Sequence, residues 1–221
     1  MSNGFKYNRL SKDDAVLLLV DHQSGLISLV QDYSPGEFKN NVLALADVAK
    51  FFNLPTILTT SFEDGPNGPI VPELKEIFPD APFIPRPGQI NAWDNEDFVN
   101  AIKETGRKQL IIAGVVTDVC VAFPALAASE AGYDVFVVVD ASGTFNRDVR
   151  DAALLRMTQA GVQTMNWFSI ACELQAQRHR GSRQAALRSH SKLSKPDDQL
   201  LRPEVRRHCC VCKSRPQRGQ G

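Results

Sequence analysis

Three side chains of this 221-residue chain have the types that make a nucleophile when brought together: Cys120, Asp21 and Arg86. A thiol attacks well only after losing its proton; a carboxylate can accept that proton, and a guanidinium steadies the anions that result. Cys120 lies in LIIAGVVTDVCVAFPALAASEAG, residues 110 to 132. There an apolar run stops at Gly114, and a short turn carries Thr117 and Asp118. Val121, Ala125, Leu126 and Ala128 then offer one helical face. A cysteine at a helix N-terminus feels the positive end of the helix dipole, which lowers thiol pKa. The same cysteine can also be read as a small buried hydrophobe in a strand-to-helix crossover. Asp21 follows AVLLLV and is either a base or a strand-end carboxylate that caps a turn. Arg86 stands between two prolines, where it suits a site, a surface or a subunit contact. His22 is a base by type, or a hydrogen-bonded residue beside a buried strand.

The elements that must position these residues follow from periodicity. Ala15 to Val20 is a continuous apolar run, as in a central parallel strand. From Gly36, the residues Phe38, Val42, Leu45, Ala49 and Phe52 recur at spacings of four and three and predict a helix that ends at Asn53. Pro55 to Thr60 reads as the second strand, closing a β-α-β unit. Ser61 to Pro72 holds three prolines and two glycines and predicts a long loop, of the kind that serves a site. A short strand at Ala81 to Ile84 precedes Arg86. Asp94 or Asn95 caps a helix with Phe98, Val99 and Ile102 on its apolar face, and Gly106 stops it. Strands at Gln109 to Ala113, Asp134 to Asp140 and Val162 to Asn166 flank a helix at Arg147 to Ala160. Alternating strands and helices predict a parallel sheet covered on both faces, with ligands beyond the strands' carboxyl ends. Asp21, the segment after Ile84 and Cys120 all fall at such ends.

Length and composition suit one substantial core: 43% of residues are hydrophobic and 23% charged. The first residues are polar and no apolar run reaches membrane-span length, so a cytoplasmic, non-membrane protein is expected. Only Cys120 and Cys172 precede the last segment, which argues for reduced thiols rather than a disulfide framework. The zero net charge hides a division. Residues 174 to 221 carry 12 Lys+Arg against 3 Asp+Glu, and residues 1 to 173 carry 13 against 22. The expected organisation is therefore a domain at 1 to 173 and a basic tail at 174 to 221. That tail has no Phe, Tyr or Trp to offset the entropy of ordering. It would bind nucleic acid only nonspecifically, through its charge.

The runs LLLVDHQSGL, RPGQINAWDN, IIAGVVTDVCVAFPAL and FVVVDASGT, in this order, resemble the isochorismatase-like cysteine hydrolases, and among them the YcaC-type bacterial branch. The resemblance covers about residues 8 to 173. It implies an α/β fold, a Rossmann-like three-layer α/β/α sandwich with a six-stranded parallel sheet. It implies Asp21 as base and Cys120 as nucleophile, with Arg86 where most of the family has lysine. Arginine stays protonated, so its role there is electrostatic and orienting. It further implies a cis peptide at Val115-Val116, with the amides of Val116 and Cys120 as an oxyanion hole. Gln23, Asn91, Trp93 and Phe123 are candidates for lining the substrate pocket.

The expected reaction is hydrolysis of a small amide or related acyl compound, a small molecule being the expected partner. A non-catalytic metabolite-binding or scaffold oligomer that keeps the site geometry is the alternative. No cofactor is expected: SFEDGPNG lacks the histidine of the zinc-binding relatives, and no G-x-G-x-x-G loop is present. HCCVC at 208 to 212 has poor spacing for a tetrahedral metal site, so metal ligands are predicted to be none. The resemblance also implies a homo-oligomer, an octamer, with Phe62, Ile70 and Val71 of the long loop as contact candidates. Near Leu174 the pattern of the family stops, as an altered reading frame would produce.

Overall fold

Residues 7–181 are described by the structure, a computed structural model. Six strands form one all-parallel sheet in the order β3-β2-β1-β4-β5-β6: β1 Ala15–Val20, β2 Thr56–Ser61, β3 Phe83–Arg86, β4 Gln109–Gly114, β5 Asp134–Val138 and β6 Gln163–Met165. The helices are α1 Ser24–Ile27, α2 Pro35–Phe51, α3 Pro72–Ile77, α4 Glu96–Glu104, α5 Ala122–Glu130, α6 Arg147–Gln159 and α7 Trp167–Gly181. Every residue of β1 and β4 is buried, because both strands lie mid-sheet with helices on each face. Alternation along β1 divides the core. Ala15, Leu17 and Leu19 pack with Phe38 and Leu45 of α2, Leu74 of α3 and Ile170 of α7. Val16, Leu18 and Val20 pack with Phe98 and Ile102 of α4, Ala125 of α5 and Met157 of α6. Each fully buried Leu, Ile or Phe contributes roughly 1.5–3 kcal/mol, so much of the burial energy is concentrated at the sheet's centre.

Helix ends follow local chemistry. Ser34 caps α2, accepting from Glu37 N, with Pro35 in the first turn, and Asn95 caps α4 by accepting from Phe98 N. Gly106 takes φ +67 just beyond α4.

Several boundaries differ from the sequence reading. α1 and α3 arise where no helix was expected, and β3 is shifted to Phe83–Arg86. β5 ends at Val138, after which Val139–Ala141 winds into a 3₁₀ turn. Ile70 of the long loop is buried in the chain's own core and Val71 packs beside it, which leaves Phe62 exposed. α7 runs through position 174 to Gly181, with Leu174 fully buried. The remainder of the basic tail, including HCCVC, lies outside the described residues. Among the described residues no helix is long and apolar enough to cross a membrane.

Candidate active site

β1 and β4 are neighbours at the point where strand order reverses, with β2 and β3 on one side and β5 and β6 on the other. In open parallel sheets ligands bind just past the carboxyl ends at such a point, between the two diverging connections. Val20 is aligned with Thr59 of β2 and Gly114 of β4, so Asp21 leaves β1 level with both neighbours. Its backbone takes φ +56, a left-handed conformation that Asp tolerates better than most residues. The Asp21 N–H donates to Thr59 O at 2.9 Å and Gln23 N–H donates to Asp21 O at 2.7 Å, which fix this bend.

Arg86 ends β3, two strands away, in register with Ser61 of β2. Its side chain crosses β2 and is only 1% exposed. Nε donates to Thr59 Oγ1 at 3.1 Å, and Nη1 donates to the carbonyls of Gln89 and Ile90. Nη2 donates to Asp21 Oδ1, closing an ion pair with both side chains fully buried. Four of the five guanidinium N–H groups are thus engaged. Thr59 Oγ1 donates onward to Ile84 O at 2.7 Å, so the threonine braces the cation on one side and the edge strand on the other.

Cys120 arrives from β4 through a tight path. The Val115-Val116 peptide is cis, and Thr117–Val121 forms one π-helical turn ahead of α5. The half-buried thiol lies against the Asp21 carboxylate closely enough to couple the two protonations, and the Val116 N–H faces the sulfur. Burial, followed by the Asp21 charge, pushes the thiol up to about 12. The helix-end effect expected from sequence is overcome by desolvation. Burial also raises Asp21 above the usual carboxylate range, while Arg86 and its hydrogen bond pull it back. The resting pair is therefore a neutral thiol beside a carboxylate of heightened basicity. Arg86 occupies Asp21 Oδ1, which leaves Oδ2 to face the thiol.

One short segment holds both halves of this pair. His22, fully buried, shares a hydrogen bond of 3.1 Å between Nε2 and Ala141 O. Burial pushes this imidazole down to about 4, so it stays neutral and is no base at neutral pH. From the same segment, Gly143 N–H donates to Gly114 O at 3.2 Å, and Gly143 O accepts from Thr117 N–H at 3.0 Å. Thr144 Oγ1 donates to Asp118 Oδ1 at 2.7 Å. Residues 141–144 therefore strap the end of β1 to the turn that carries the thiol.

The other pocket candidates divide. Gln23 is fully buried and spends its amide on the backbone, accepting from Ser61 N–H at 2.9 Å and donating to Ser61 O and Gly68 O. It braces the long loop. Asn91 caps a 3₁₀ turn by accepting from Trp93 N–H at 3.1 Å, and Trp93 packs edge-on to Tyr133. That turn packs against α5, where the half-buried Phe123 lies beneath the Arg156 guanidinium. Thr59 and the 141–144 segment were not singled out from sequence. For the 141–144 segment the available signal was the run of small residues in DASGT.

The loops at this end of the sheet leave Leu29, Phe62, Ile90 and Phe145 exposed, following β1, β2, β3 and β5 respectively.

Comparison with known proteins bears on this arrangement. The isochorismatase domain, as a family model, matches residues 15–168. The chain is 72% identical over 168 residues to the probable hydrolase YcaC of Escherichia coli (strain K12), across 76% of this chain and 81% of that protein. YcaC from Pseudomonas aeruginosa, solved with hexane-2,5-diol and covalent acrylamide, is 74% identical, with a TM-score of 0.78 over 80% of this chain and 88% of that one. The Escherichia coli YcaC gene product, described as an octameric hydrolase of unknown specificity, is 69% identical with a TM-score of 0.77, over 82% and 87% of the respective chains.

Proposed function

The chain belongs to the isochorismatase family, and on that premise we propose that it is a cysteine hydrolase of small amides or related acyl compounds. The observation that carries this reading is the coupling of the Cys120 thiol to the buried Asp21 carboxylate at the strand-order switch. Asp21 takes the thiol proton as sulfur attacks the carbonyl carbon, so a free thiolate need not accumulate in the resting site. The carbonyl electrons move to oxygen, held by the N–H groups of Val116 and Cys120. Collapse breaks the bond to the leaving nitrogen, which receives the proton from Asp21. Water then gives a proton to Asp21 and attacks the thioester, and the departing sulfur recovers that proton. Arg86 holds Asp21 in place and supplies a fixed positive charge to the anionic states.

The covalent acrylamide on the Pseudomonas relative supports this reading, since acrylamide is a small electrophile of the kind that thiols capture. A screen of small amides and hydroxamates against wild type and Cys120→Ala tests it. Turnover should disappear in the variant while its circular dichroism is unchanged; full activity in Cys120→Ala removes the mechanism.

A non-catalytic scaffold is the second reading, favoured by the high pKa of the buried thiol. Iodoacetamide separates the two. Under the hydrolase reading Asp21 takes the thiol proton as sulfur reacts, so alkylation of Cys120 slows sharply in Asp21→Asn, and equal rates in the two proteins favour the scaffold.

Assembly is part of the proposal. At 69% identity to an octameric relative, the chain is assigned the same octamer, with the exposed apolar residues around the site mouth as contact area. Sedimentation should give eight copies, and a stable, fully active monomer would overturn the assignment. Among the described residues Cys120 and Cys172 form no disulfide, which suits a cytoplasmic setting.

A further inference from the structure

Thr59 touches both the base and its cation. Its carbonyl oxygen accepts from Asp21 N–H at 2.9 Å, and its hydroxyl accepts from Arg86 Nε at 3.1 Å while donating to Ile84 O at 2.7 Å. The hydroxyl proton is thus spent on the edge strand, which turns an oxygen lone pair towards the guanidinium. Nε and Nη2 form one edge of that planar group, an edge that can clamp both oxygens of a carboxylate in a bidentate pair. Here the edge is divided: Nη2 donates to Asp21 Oδ1 and Nε to Thr59 Oγ1. On the other side Nη1 is taken by the carbonyls of Gln89 and Ile90. Asp21 therefore meets its cation through one oxygen, and Oδ2 is left to the thiol. The charged and titratable groups that meet Asp21 are Arg86 from β3 and Cys120 from the turn after β4, and Arg86 has the larger effect.

We propose that Thr59 is a positioning residue for the base: its hydroxyl holds Arg86 Nε away from Asp21 Oδ2 and so keeps one carboxylate oxygen free to take the proton of Cys120. A carboxylate clamped at both oxygens is a weaker base and has no oxygen turned to the sulfur. With valine at position 59, two donors, Nε–H and S–H, compete for Oδ2, and one buried donor goes without an acceptor whichever wins. The charged donor forms the stronger bond and displaces the thiol. The proposal rests on the reading of Asp21 as the base for Cys120, which Asp21→Asn tests separately.

Iodoacetamide alkylation of Cys120, followed by peptide mass mapping from pH 5 to 9, measures the consequence. Thr59→Val should react at least about tenfold more slowly on the plateau, because general-base help of this kind is worth more than that. The acid limb of its profile should move down by about one pH unit, since a second bond from the guanidinium favours the charged carboxylate. Thr59→Ser should restore both. Thr60→Val controls for the loss of a hydroxyl alone. Thr60 is the next residue of β2, fully buried, and its hydroxyl has no partner among the described residues, so this variant should match wild type. Thr59→Ala removes the same acceptor with less bulk and serves where the valine protein does not fold. A Thr59→Val profile equal to wild type, a loss that serine does not restore, or an equal loss in Thr60→Val overturns the proposal. A crystal structure of Thr59→Val reads the geometry whether or not Asp21 acts as the base. Both Asp21 oxygens should be bonded to Arg86, and a guanidinium still on Oδ1 alone would show that the hydroxyl does not hold the two apart.

Discussion

The Thr144 hydroxyl donates to Asp118 Oδ1 at 2.7 Å and so joins the loop after β5 to the turn that presents Cys120. Asp118 lies two residues before the thiol, and the backbone of Thr117 is held to Gly143 from the same side. Within the turn the Val119 and Val121 N–H groups donate to Val116 O, and this neighbour anchors it from outside.

Thr144→Val keeps the shape and removes the donor. Stability should fall by about 1 kcal/mol, the usual net worth of one hydrogen bond. Alkylation of Cys120 by iodoacetamide should slow by about 10- to 100-fold, because small misplacements of a reacting group are costly. Thr144→Ser should restore the rate. Equal rates in the valine and wild-type proteins would show that the strap does not position the thiol.

Thr59 offers a comparable test on the cation. Its hydroxyl accepts from Arg86 Nε and donates to Ile84 O, both in the interior. Thr59→Val leaves a buried guanidinium N–H unpaired, at a cost of about 1–3 kcal/mol. Urea unfolding should show a loss in that range. Serine at the same position should recover most of it, since the hydroxyl matters more than the methyl.

Gly114 lies where β4 meets β1 most closely. A Cβ added there would stand 2.3 Å from Val20 O, a backbone atom with little freedom to move. Gly114→Ala should therefore push apart the strand ends that carry Asp21 and the nucleophile's turn, destabilising the protein by about 1–3 kcal/mol or more. A midpoint of thermal unfolding unchanged from wild type would contradict the packing at this strand end.

How much of this was legible in the chain can be argued residue by residue. β1 was read at its true bounds because a strand buried on both faces leaves no polar interruption until Asp21. α3 was missed because Pro72 was taken as a breaker, although proline suits the first turn of a helix. α1, at four residues, is too short to show a period. β5 was read too long because Val139 and Asp140 continue its pattern. The chain instead turns there as the Ser142 hydroxyl takes Val138 O at 2.8 Å. Cys120 was placed by its neighbours, but its protonation was misread. The helix-end argument is local, while desolvation is set by how the whole chain packs around the thiol, which sequence spacing does not show. Thr59 gave no signal of its own, since a threonine in a strand is ordinary by propensity.

His22 gives the last prediction, on pH. Its ring is fully buried, stacked near Phe38 with centroids 6.4 Å apart, and hydrogen-bonded to Ala141 O. Burial holds it at about 4 in the folded protein, against 6.5 when exposed. Above pH 6.5 both states are neutral and its contribution to stability is complete. As pH falls from 6.5 towards 4, the unfolded chain takes a proton that the folded one refuses, and about 3 kcal/mol is lost. Asp140, raised by burial to about 6, acts in the opposite sense below that pH, as do the raised carboxyls of Asp21 and Asp32. The wild-type profile is thus a balance, and the histidine must be isolated by difference. His22→Gln can keep a donor towards Ala141 but cannot titrate. Urea unfolding of both proteins at pH 7.5, 6, 5 and 4 should show the wild type losing its advantage over the variant by about 3 kcal/mol across that range. Parallel profiles would mean that the imidazole is protonated in the folded state as readily as in the unfolded one, which the buried ring and its unpartnered Nδ1 do not permit.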